Sequence, residues 1–378
     1  MKLLVVTNIP TPYRIAFFNV LQQQLLLQNG KLKVLYCAEN EPDRHWKIDF
    51  SDQKFEYEIL KGFHATVGGL FLHFNPSILK KTAVFNPDYI LYAGSWNMPT
   101  VVFSLLFNSV FYKKYKKIFW SEGHDGSILH KAGIVPTIRK FIQNKFDAFA
   151  VPNERSKSYL FEILGLKKKP IVILPNTVDG DFFTKPETWN IENSKEVKLE
   201  FNIPHNSKII IQVAQIEDRK GVFELVSYWQ KLQHKENYHL VFVGEGSLKN
   251  KLIAENQSEN TIHFLGNQTK ENVRKLLFAA DVFVLLTKND PNPLTLIEAS
   301  YAKLPILTTK FAGNCNEIVV CKNGVVMQEI SFATFENAFE KMKQISASNR
   351  GEISFQNVKQ NFDSEQVARN FIEQLYKV

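Results

Sequence analysis

The sequence predicts an α/β protein made of two doubly wound, largely parallel sheets. Short apolar stretches alternate with stretches long enough for helices, a pattern typical of parallel sheets covered by helices. Two such blocks follow one another without similarity between them, and a chain of 378 residues favours two domains over one. We expect an N-terminal domain over residues 1–183 and a C-terminal domain over residues 184–362. A polar, strand-free stretch at about 184–207 is the expected linker.

The predicted strands are short, continuous apolar runs, which indicate burial on both faces of a sheet. In the first domain they are residues 1–6, 32–36, 89–92, 117–120, 148–151 and 171–174. In the second domain they are residues 208–213, 239–243, 262–265 and 282–286, with a return strand that ends at residue 307. A last amphipathic stretch, residues 363–378, is predicted to be a helix.

The segment after the fourth of these second-domain strands is the most informative one in the chain. Asn292 is a residue type that caps helices, and Pro293 suits the first helical position. A helix N-terminus is therefore predicted at the carboxyl end of a buried strand, where open α/β sheets bind phosphates. Asp290 precedes this helix and Glu298 lies in its second turn. Two acids beside free N–H groups suit a ligand that is both anionic and rich in hydroxyl groups, such as a nucleotide-sugar.

The spacing of Asp290 and Glu298 resembles the acidic E-x7-E element of family-4 glycosyltransferases of the GT-B fold, with Asp290 in place of the first Glu. Gly313 and the stretch 317–319 resemble the loop that follows in this family. The resemblance runs in collinear order over about residues 206–325. It implies two Rossmann-like domains that face a central cleft, with the last helix crossing back onto the first domain. It also implies a retaining transfer from a nucleotide-sugar, with no essential metal or other cofactor.

The resemblance also assigns roles on the donor side. Glu298 is implied to bind the ribose hydroxyl groups, Asp290 the hydroxyl groups of the sugar, and the backbone near Leu294 and Thr295 the phosphates. The residues implied to contact the donor are Gln215, Arg219, Lys220, Gly244, Glu245, Asn267, Asn292, Pro293, Leu294, Thr295 and Glu298.

The loop after the strand 208–213 departs from the family in one position. Lys220 and Gly221 match the family's Lys-Gly, whereas Gln215 stands where the family usually has an arginine. Arg219 is a candidate to supply the missing charge at the donor diphosphate, although an Arg-Lys pair is also typical of a solvated helix start. Arg and Lys bind phosphate differently, one as a planar fork and one as a point charge.

The first domain is expected to bind the acceptor. Its first strand leads into a Pro-rich turn with Tyr13 and Arg14, where many family members have a similar loop and others carry glycines. Ser95, Trp96 and Asn97 follow another strand and are predicted to line the acceptor site. After the strand 117–120, Glu122 and His124 are equal candidates for a catalytic role beside the transferred sugar, together with Asp290 and Glu298 of the second domain.

Composition favours an enzyme with anionic partners. The net charge is +8, and there is no recognisable nucleic-acid-binding module, so no nucleic acid partner is expected. The stretch 105–117 joins apolar residues to four lysines, which suits either an anionic bilayer surface or a half-buried helix with a basic turn.

We see no signal peptide or spanning segment, and the three cysteines suggest free thiols, which together predict a cytoplasmic protein, peripheral to the membrane at most. Asp179-Gly180-Asp181 is interpreted as a turn rather than a metal motif.

The predicted function is therefore retaining transfer of a sugar from a nucleotide-sugar to a saccharide or lipid-linked saccharide, with a UDP-sugar as the first choice of donor and a GDP-sugar as the alternative. The setting implied by the resemblance is bacterial surface-polysaccharide synthesis (capsule, O-antigen or lipooligosaccharide). Three alternatives stay open at this point: a sugar-nucleotide epimerase of the GT-B fold, a two-domain sugar-binding protein, and a non-catalytic homologue that binds the nucleotide-sugar without turnover.

Overall fold

The computed structural model describes residues 1–42, 49–68, 70–111, 115–124, 134–235, 237–320, 322–344 and 347–378. The chain forms two compact units. The first unit comprises Met1–Thr177 and Ser364–Val378, and the second comprises Val178–Asp363. Each unit is built around its own parallel sheet, so the predicted α/β class with two doubly wound sheets is confirmed.

The strands of the first unit are β1 (Lys2–Thr7), β2 (Lys31–Tyr36), β3 (Glu56–Ile59), β4 (Phe63–Val67), β5 (Leu70–Phe74), β6 (Tyr89–Tyr92), β7 (Lys116–Trp120), β8 (Ala148–Val151) and β9 (Ile171–Ile173). All but β4 and β5 form a seven-stranded parallel sheet of order β3-β2-β1-β6-β7-β8-β9. The central strand β1 is buried along Leu3, Leu4, Val5 and Val6 because helices cover both faces. Val5 lies opposite Val34 of β2 and Leu91 of β6.

The helices of the first unit are α1 (Pro12–Leu26), α2 (Ile78–Phe85), α3 (Pro99–Phe111), α4 (Ile134–Gln143), α5 (Glu154–Ser158) and, from the far end of the chain, α15 (Ser364–Leu375). A 3-10 turn spans Phe50–Asp52, and a π-helical turn, Tyr159–Ile163, continues α5. Phe18 and Leu21 of α1 share a core cluster with Val367 and Phe371 of α15, so the last helix completes the core of the first unit.

The strands of the second unit are β10 (Lys208–Val213), β11 (Tyr238–Val243), β12 (Ile262–Phe264), β13 (Val282–Leu285), β14 (Ile306–Thr309) and β15 (Gly324–Met327). They form a parallel sheet of order β12-β11-β10-β13-β14-β15. Its helices are α6 (Gly180–Phe183), α7 (Ile191–Glu200), α8 (Val222–Lys231), α9 (Lys249–Glu255), α10 (Lys270–Ala279), α11 (Leu294–Tyr301), α12 (Cys315–Ile318), α13 (Phe332–Gln344) and α14 (Ala347–Asn361). A 3-10 turn, Asp218–Lys220, precedes α8.

Several segments differ from the sequence-based expectations. The strands β3, β4, β5 and β15 were not predicted. The stretch 184–207, expected to be a strand-free linker, contains α7. A capping box between Asn190 and Asn193 starts this helix, and Val197 is buried in the core of the second unit. Polar composition concealed this helix, which packs against α10.

Candidate functional site

The carboxyl ends of β10 and β13 lie at the centre of the second unit's candidate site. The strand order reverses between these adjacent strands, since β11 and β12 lie on one side and β14 and β15 on the other. The loops after the two strands diverge at such a reversal, and open α/β sheets bind their ligands there. The loop after β10 carries Gln215, Arg219 and Lys220, and the loop after β13 carries Asp290.

An ion pair joins these two loops. The ammonium of Lys220 contacts the carboxylate of Asp290, and each side chain keeps 11% of its accessible surface. The backbone of Asp290 is fixed by two hydrogen bonds: its N–H donates to the carbonyl of Phe311 at 3.2 Å, and its carbonyl accepts from the N–H of Gly313 at 2.8 Å. An anion that takes over the ammonium leaves the carboxylate able to accept hydrogen bonds from hydroxyl groups.

The helix after Asp290 begins later than predicted. The assignment of Asn292 as the N-cap is wrong, because α11 starts at Leu294 and Pro293 holds the N-cap position. Oδ1 of Asp290 accepts the N–H of Asn292 at 3.2 Å and closes a turn ahead of the helix. The first-turn N–H groups, those of Leu294 and Thr295 among them, still form the positive end of the helix, which suits a phosphate group.

Glu298 lies in the second turn of α11 and is half-buried. Burial raises the pKa of its carboxyl group to about 7, although the positive charge of Lys270 acts in the opposite direction. A carboxyl group with this pKa is partly protonated at neutral pH and accepts hydrogen bonds from ligand hydroxyl groups once it is ionised.

Arg219 lies beside the position at which this chain lacks the family's arginine. Its guanidinium donates to Oε1 of Gln215 at 2.6 Å, and both side chains are exposed. The positive charge therefore sits next to Gln215 without being neutralised by it. This geometry is compatible with contact between Arg219 and a bound diphosphate.

Gly221 brings the first loop against the end of β13. Its φ is +67°, and a Cβ at this position would overlap the carbonyl oxygen of Leu286. Only glycine combines this left-handed conformation with such a close approach. The approach places the preceding residue, Lys220, beside Asp290.

The turn after β11 has a similar close approach. Gly244 has φ +141° and would overlap the carbonyl oxygen of Ala214 if it carried a Cβ. The carboxylate of Glu245 contacts the ammonium of Lys249 at 2.6 Å and accepts the N–H of Asn267 at 3.3 Å. The predicted donor residues Glu245 and Asn267 are thus neighbours on the exposed side of this turn.

The first unit has a cavity of about 610 Å³ at the equivalent edge of its own sheet. The strand order reverses between β1 and β6, and the cavity lies over the carboxyl ends of β1, β6 and β7. Among its lining residues are the polar and aromatic side chains Thr7, Asn8, Tyr13, Arg14, Glu41, Ser95, Trp96, Trp120, Glu122 and Arg139. We refer to it below as the first-unit cavity.

Arg14 is the most firmly held side chain of this cavity. Its guanidinium donates to the carbonyl of Ala93 at 2.7 Å and to Oγ1 of Thr7 at 3.0 Å, and lies 3.6 Å from Oε1 of Glu122. It also stacks on the ring of Trp120 at 4.8 Å. Glu122 in turn accepts a hydrogen bond from an amide of the same unit, that of Asn176, at 2.9 Å.

The structure brings most of the predicted acceptor-side residues together. Tyr13, Arg14, Ser95, Trp96 and Glu122 line the first-unit cavity.

Two predicted residues are not among those that line it. Asn97 is exposed in the turn before α3, and His124 is buried with 2% of its surface accessible. Trp96 itself is half-buried against Arg139.

Sequence reasoning missed Glu41 and Arg139 in this cavity. Glu41 pairs with His73 of β5 at 3.1 Å, and Arg139 comes from the middle of α4. Neither residue directly follows a strand, which is the signal that revealed the others. Thr7 ends β1 and Asn8 follows it, so the rule that ligands bind at strand ends could have identified these two residues, which were not predicted.

The stretch 105–117, for which composition suggested either a bilayer-binding surface or a half-buried helix with a basic turn, is partly buried. Leu105, Tyr115 and Lys117 are buried, and the ammonium of Lys117 contacts Asp147 at 3.1 Å. Leu106 and Val110 are exposed, whereas residues 112–114, with two of the four lysines, lie outside the described residues. Within the described ranges, the helices are too short or too polar to traverse a bilayer.

The remaining motifs have structural roles. Asp179 caps α6 through the N–H of Phe182 at 3.1 Å, so the predicted turn at 179–181 is a short helix. Cys37 and Cys315 are buried, and Cys321 lies outside the described residues.

Two units, each with a doubly wound parallel sheet and with charged loops where the strand order reverses, have the architecture of the GT-B fold. Residues 193–351 match the family model of the group 1 glycosyl transferases. This match covers most of the second unit, and the predicted resemblance to family 4 is confirmed.

Relatives of known sequence are similar over larger parts of the chain. An uncharacterized glycosyltransferase of Methanocaldococcus jannaschii is 25% identical over 64% of this chain, a region that spans 60% of that relative's own length. The N-acetyl-alpha-D-glucosaminyl L-malate synthase of Bacillus anthracis is 24% identical over 74% of this chain and 73% of its own.

Solved structures are similar in fold over the whole chain. The crystal structure of Anabaena HepE in complex with UDP-glucose superimposes with a TM-score of 0.71 at 14% identity, covering 100% of both chains. At this identity the similarity concerns the fold alone.

Proposed function

We propose that this protein is a retaining glycosyltransferase that moves a sugar from a UDP-sugar to a saccharide or lipid-linked saccharide. The second unit binds the donor, and the first-unit cavity binds the acceptor. The UDP moiety is favoured because the Anabaena structure with the same fold was solved with UDP-glucose. The biological setting that we infer from the family resemblance is bacterial surface-polysaccharide synthesis.

The observation that carries the proposal is the pairing of Lys220 with Asp290 at the start of α11, with Glu298 in the second turn of the same helix. A cation and a helix N-terminus lie side by side there, and both favour a diphosphate. The two carboxylates provide acceptors for hydroxyl groups on either side of it. A simple phosphate would need the positive groups and would be repelled by the acids, whereas a nucleotide-sugar uses both.

The chemistry follows from these positions. The bond between the anomeric carbon and the diphosphate oxygen breaks, and a bond from the acceptor oxygen to the same carbon forms. Lys220, Arg219 and the N–H groups at the start of α11 stabilise the negative charge that develops on the leaving diphosphate. The acceptor hydroxyl proton passes to the leaving phosphate, which leaves on the face that the acceptor enters. Configuration is therefore retained.

The first-unit cavity suits a saccharide. Its walls combine the rings of Tyr13, Trp96 and Trp120 with the carboxylates of Glu41 and Glu122. Aromatic rings pack against the apolar faces of sugars, and carboxylates accept hydrogen bonds from sugar hydroxyl groups. Its volume lies in the range of small-molecule sites.

The test is donor binding and turnover by the whole protein. A panel of UDP-, GDP- and dTDP-sugars is screened by thermal shift, and slow donor hydrolysis is followed without acceptor. We expect one UDP-sugar to raise the Tm, and Lys220→Ala and Glu298→Ala to weaken its binding. Lys235→Ala is the matched control, because Lys235 pairs with Glu259 at 3.2 Å at another place in the same unit. The proposal fails if no nucleotide-sugar shifts the Tm, or if all three variants bind equally well.

One observation favours a second candidate, a homologue that binds the donor without turnover. Gln215 replaces the family's arginine, and the positive charge of Arg219 lies on the exposed side of the loop. Donor binding without hydrolysis or transfer to any saccharide acceptor would support this alternative. Conversion of the donor sugar without any acceptor would instead indicate an epimerase.

A further inference from the structure

Arg139 is a positively charged wall residue of the first-unit cavity that the proposed reaction does not use. It projects from the middle of α4, and its guanidinium lies 5.6 Å from the ring of Trp96 and 5.1 Å from the ring of Tyr159. Contact with two aromatic rings fixes the plane of the guanidinium, as stacked arginines show in general. Its position is therefore set by packing and not by an ion pair.

The other charged groups of this cavity already have partners. Arg14 lies 3.6 Å from Glu122, and Glu41 lies 3.1 Å from His73. In the described part of the chain, no carboxylate lies within ion-pair distance of Arg139. Its Nε atom is buried without a hydrogen-bond partner. Within the described residues, the wall thus presents one positive charge that has no ion-pair partner.

The residues around Arg139 partly bury its guanidinium but leave it accessible from the cavity. Burial lowers the pKa of its guanidinium, which means that the surrounding protein disfavours the charged form. Gly123 faces the same cavity, and a Cβ there would come within 2.9 Å of the Tyr159 ring and 3.4 Å of Nη2 of Arg139. The absence of a side chain at Gly123 leaves the guanidinium accessible from the cavity. A partly buried positive charge gains stability when an anion pairs with it.

We propose that the first-unit cavity selects acceptor saccharides that carry an anionic group, a carboxylate or a phosphate, and that Arg139 pairs with this group. The inference rests on the proposed function, in which this cavity holds the acceptor. A planar guanidinium binds either oxyanion through two parallel hydrogen bonds. A neutral saccharide would leave the charge of Arg139 unpaired and is therefore disfavoured.

The experiment compares three small probes that differ in one group: methyl β-glucoside, its 6-carboxylate (methyl β-glucuronide) and its 6-phosphate. Binding to the whole protein, saturated with the UDP-sugar that shifts its Tm or with UDP alone, is measured by ligand-observed NMR. We expect at least one charged probe to bind about tenfold more tightly than the neutral one, as a charge-assisted pair allows. The difference between the two charged probes identifies which oxyanion the cavity prefers.

Two variants assign the preference. Arg139→Gln is expected to abolish it while leaving UDP-sugar binding unchanged, and Arg139→Lys to retain part of it. Lys140→Gln, which removes the exposed neighbouring charge on α4, is the control and should keep the full preference. Because the comparison of probes on the wild-type protein needs no substitution, it stands even if Arg139→Gln does not fold.

The outcomes separate the two proposals. Equal binding of the three probes, or binding of none, overturns the inference about Arg139, even when donor binding is intact. Loss of UDP-sugar affinity in Arg139→Gln also overturns it, because Arg139 would then act on the donor. Absence of any nucleotide-sugar binding to the wild-type protein is a failure of the proposed function.

Discussion

The two units place a cation and an acid at the same point of their sheets, yet the two pairs are built differently. In the second unit Lys220 meets Asp290 beside the N-terminus of α11, and flexible point charges face a helix end. In the first unit Arg14 is fixed to Ala93 and Thr7, lies over Trp120, and faces Glu122 at 3.6 Å. A lysine that can exchange partners suits an incoming phosphate, whereas an arginine held by its own protein shapes a cavity wall.

The largest expected effect tests this difference directly. Lys220→Ala should weaken UDP-sugar binding about 100-fold, since a hydrogen bond to a charged group contributes roughly 1.5–3 kcal/mol. Arg14→Ala should leave donor affinity within about twofold and instead lower the Tm, because its loss removes the countercharge of Glu122 and a charged donor from the Ala93 carbonyl. Isothermal titration with the UDP-sugar and thermal unfolding measure the two effects. Equal loss of donor affinity in both variants would contradict the separation of roles.

The second prediction concerns how the loops approach the strands. Gly221→Ala should destabilise the protein by about 2 kcal/mol or more, because the new methyl group meets the Leu286 carbonyl at a left-handed backbone position. Gly68→Ala is the control, since Gly68 has φ +56° in the first unit and no atom within 4 Å of a built Cβ. It should cost about 1 kcal/mol, the conformational strain alone. Similar Tm values for the two variants would show that Gly221 is not crowded.

The third prediction is a pH dependence confined to the second unit. Because burial raises the pKa of Glu298 to about 7, its carboxyl group is mostly protonated at pH 6 and mostly ionised at pH 8. UDP-glucose itself does not titrate in this range, so its affinity should rise about tenfold between these pH values as the carboxylate becomes available to ribose hydroxyl groups. Glu298→Gln should bind more weakly than the wild type at pH 8 and show a flat profile.

The raised pKa of Glu298 affects the stability of the ligand-free protein in the opposite direction, because stability decreases as the pH rises. A carboxyl group whose pKa is raised on folding stabilises the native state at low pH, and this contribution is lost as the pH rises through about 7. Between pH 5 and pH 8, the free energy of unfolding of the ligand-free protein should therefore decrease more in the wild type than in Glu298→Gln. A steeper decline in the variant would exclude Glu298 as the titrating group.

The smallest expected effect lies in the first unit. Trp96→Ala should raise the KM for a saccharide acceptor about fivefold, since a contact with an aromatic ring contributes about 1 kcal/mol. The KM for the donor should not change. Phe223→Ala, which removes an exposed ring of α8, serves as the control for loss of an aromatic side chain.

The sequence was sufficient to predict the strands at the centre of both sheets and the residues that directly follow them. The reason is physical: strands buried on both faces are continuous apolar runs, and ligands bind where such runs end. It was not sufficient for β3, in which two glutamates interrupt the apolar pattern, or for β4, in which a histidine and a threonine interrupt it. Nor could it place Arg139, because the contact of α4 with Trp96 and Tyr159 depends on tertiary packing.

The start of α11 shows a finer limit. Asn292 and Pro293 have the residue types of an N-cap and a first helical residue, and local propensity alone predicted those positions. The carboxylate of Asp290 changed the outcome by taking the N–H of Asn292. The start of α11 is therefore set by the hydrogen bond from Asn292 to the side chain of Asp290, a predicted site residue, and not by local helix propensity.

The return of α15 to the first unit has a consequence for synthesis on the ribosome. The second unit is continuous along the chain, from Val178 to Asp363, so it has all its residues before the last segment is made. The first unit is translated first but completed last, because Phe18 and Leu21 await Val367 and Phe371. Until residues 364–378 have been synthesised, the apolar side chains of α1 that pack against α15 stay uncovered.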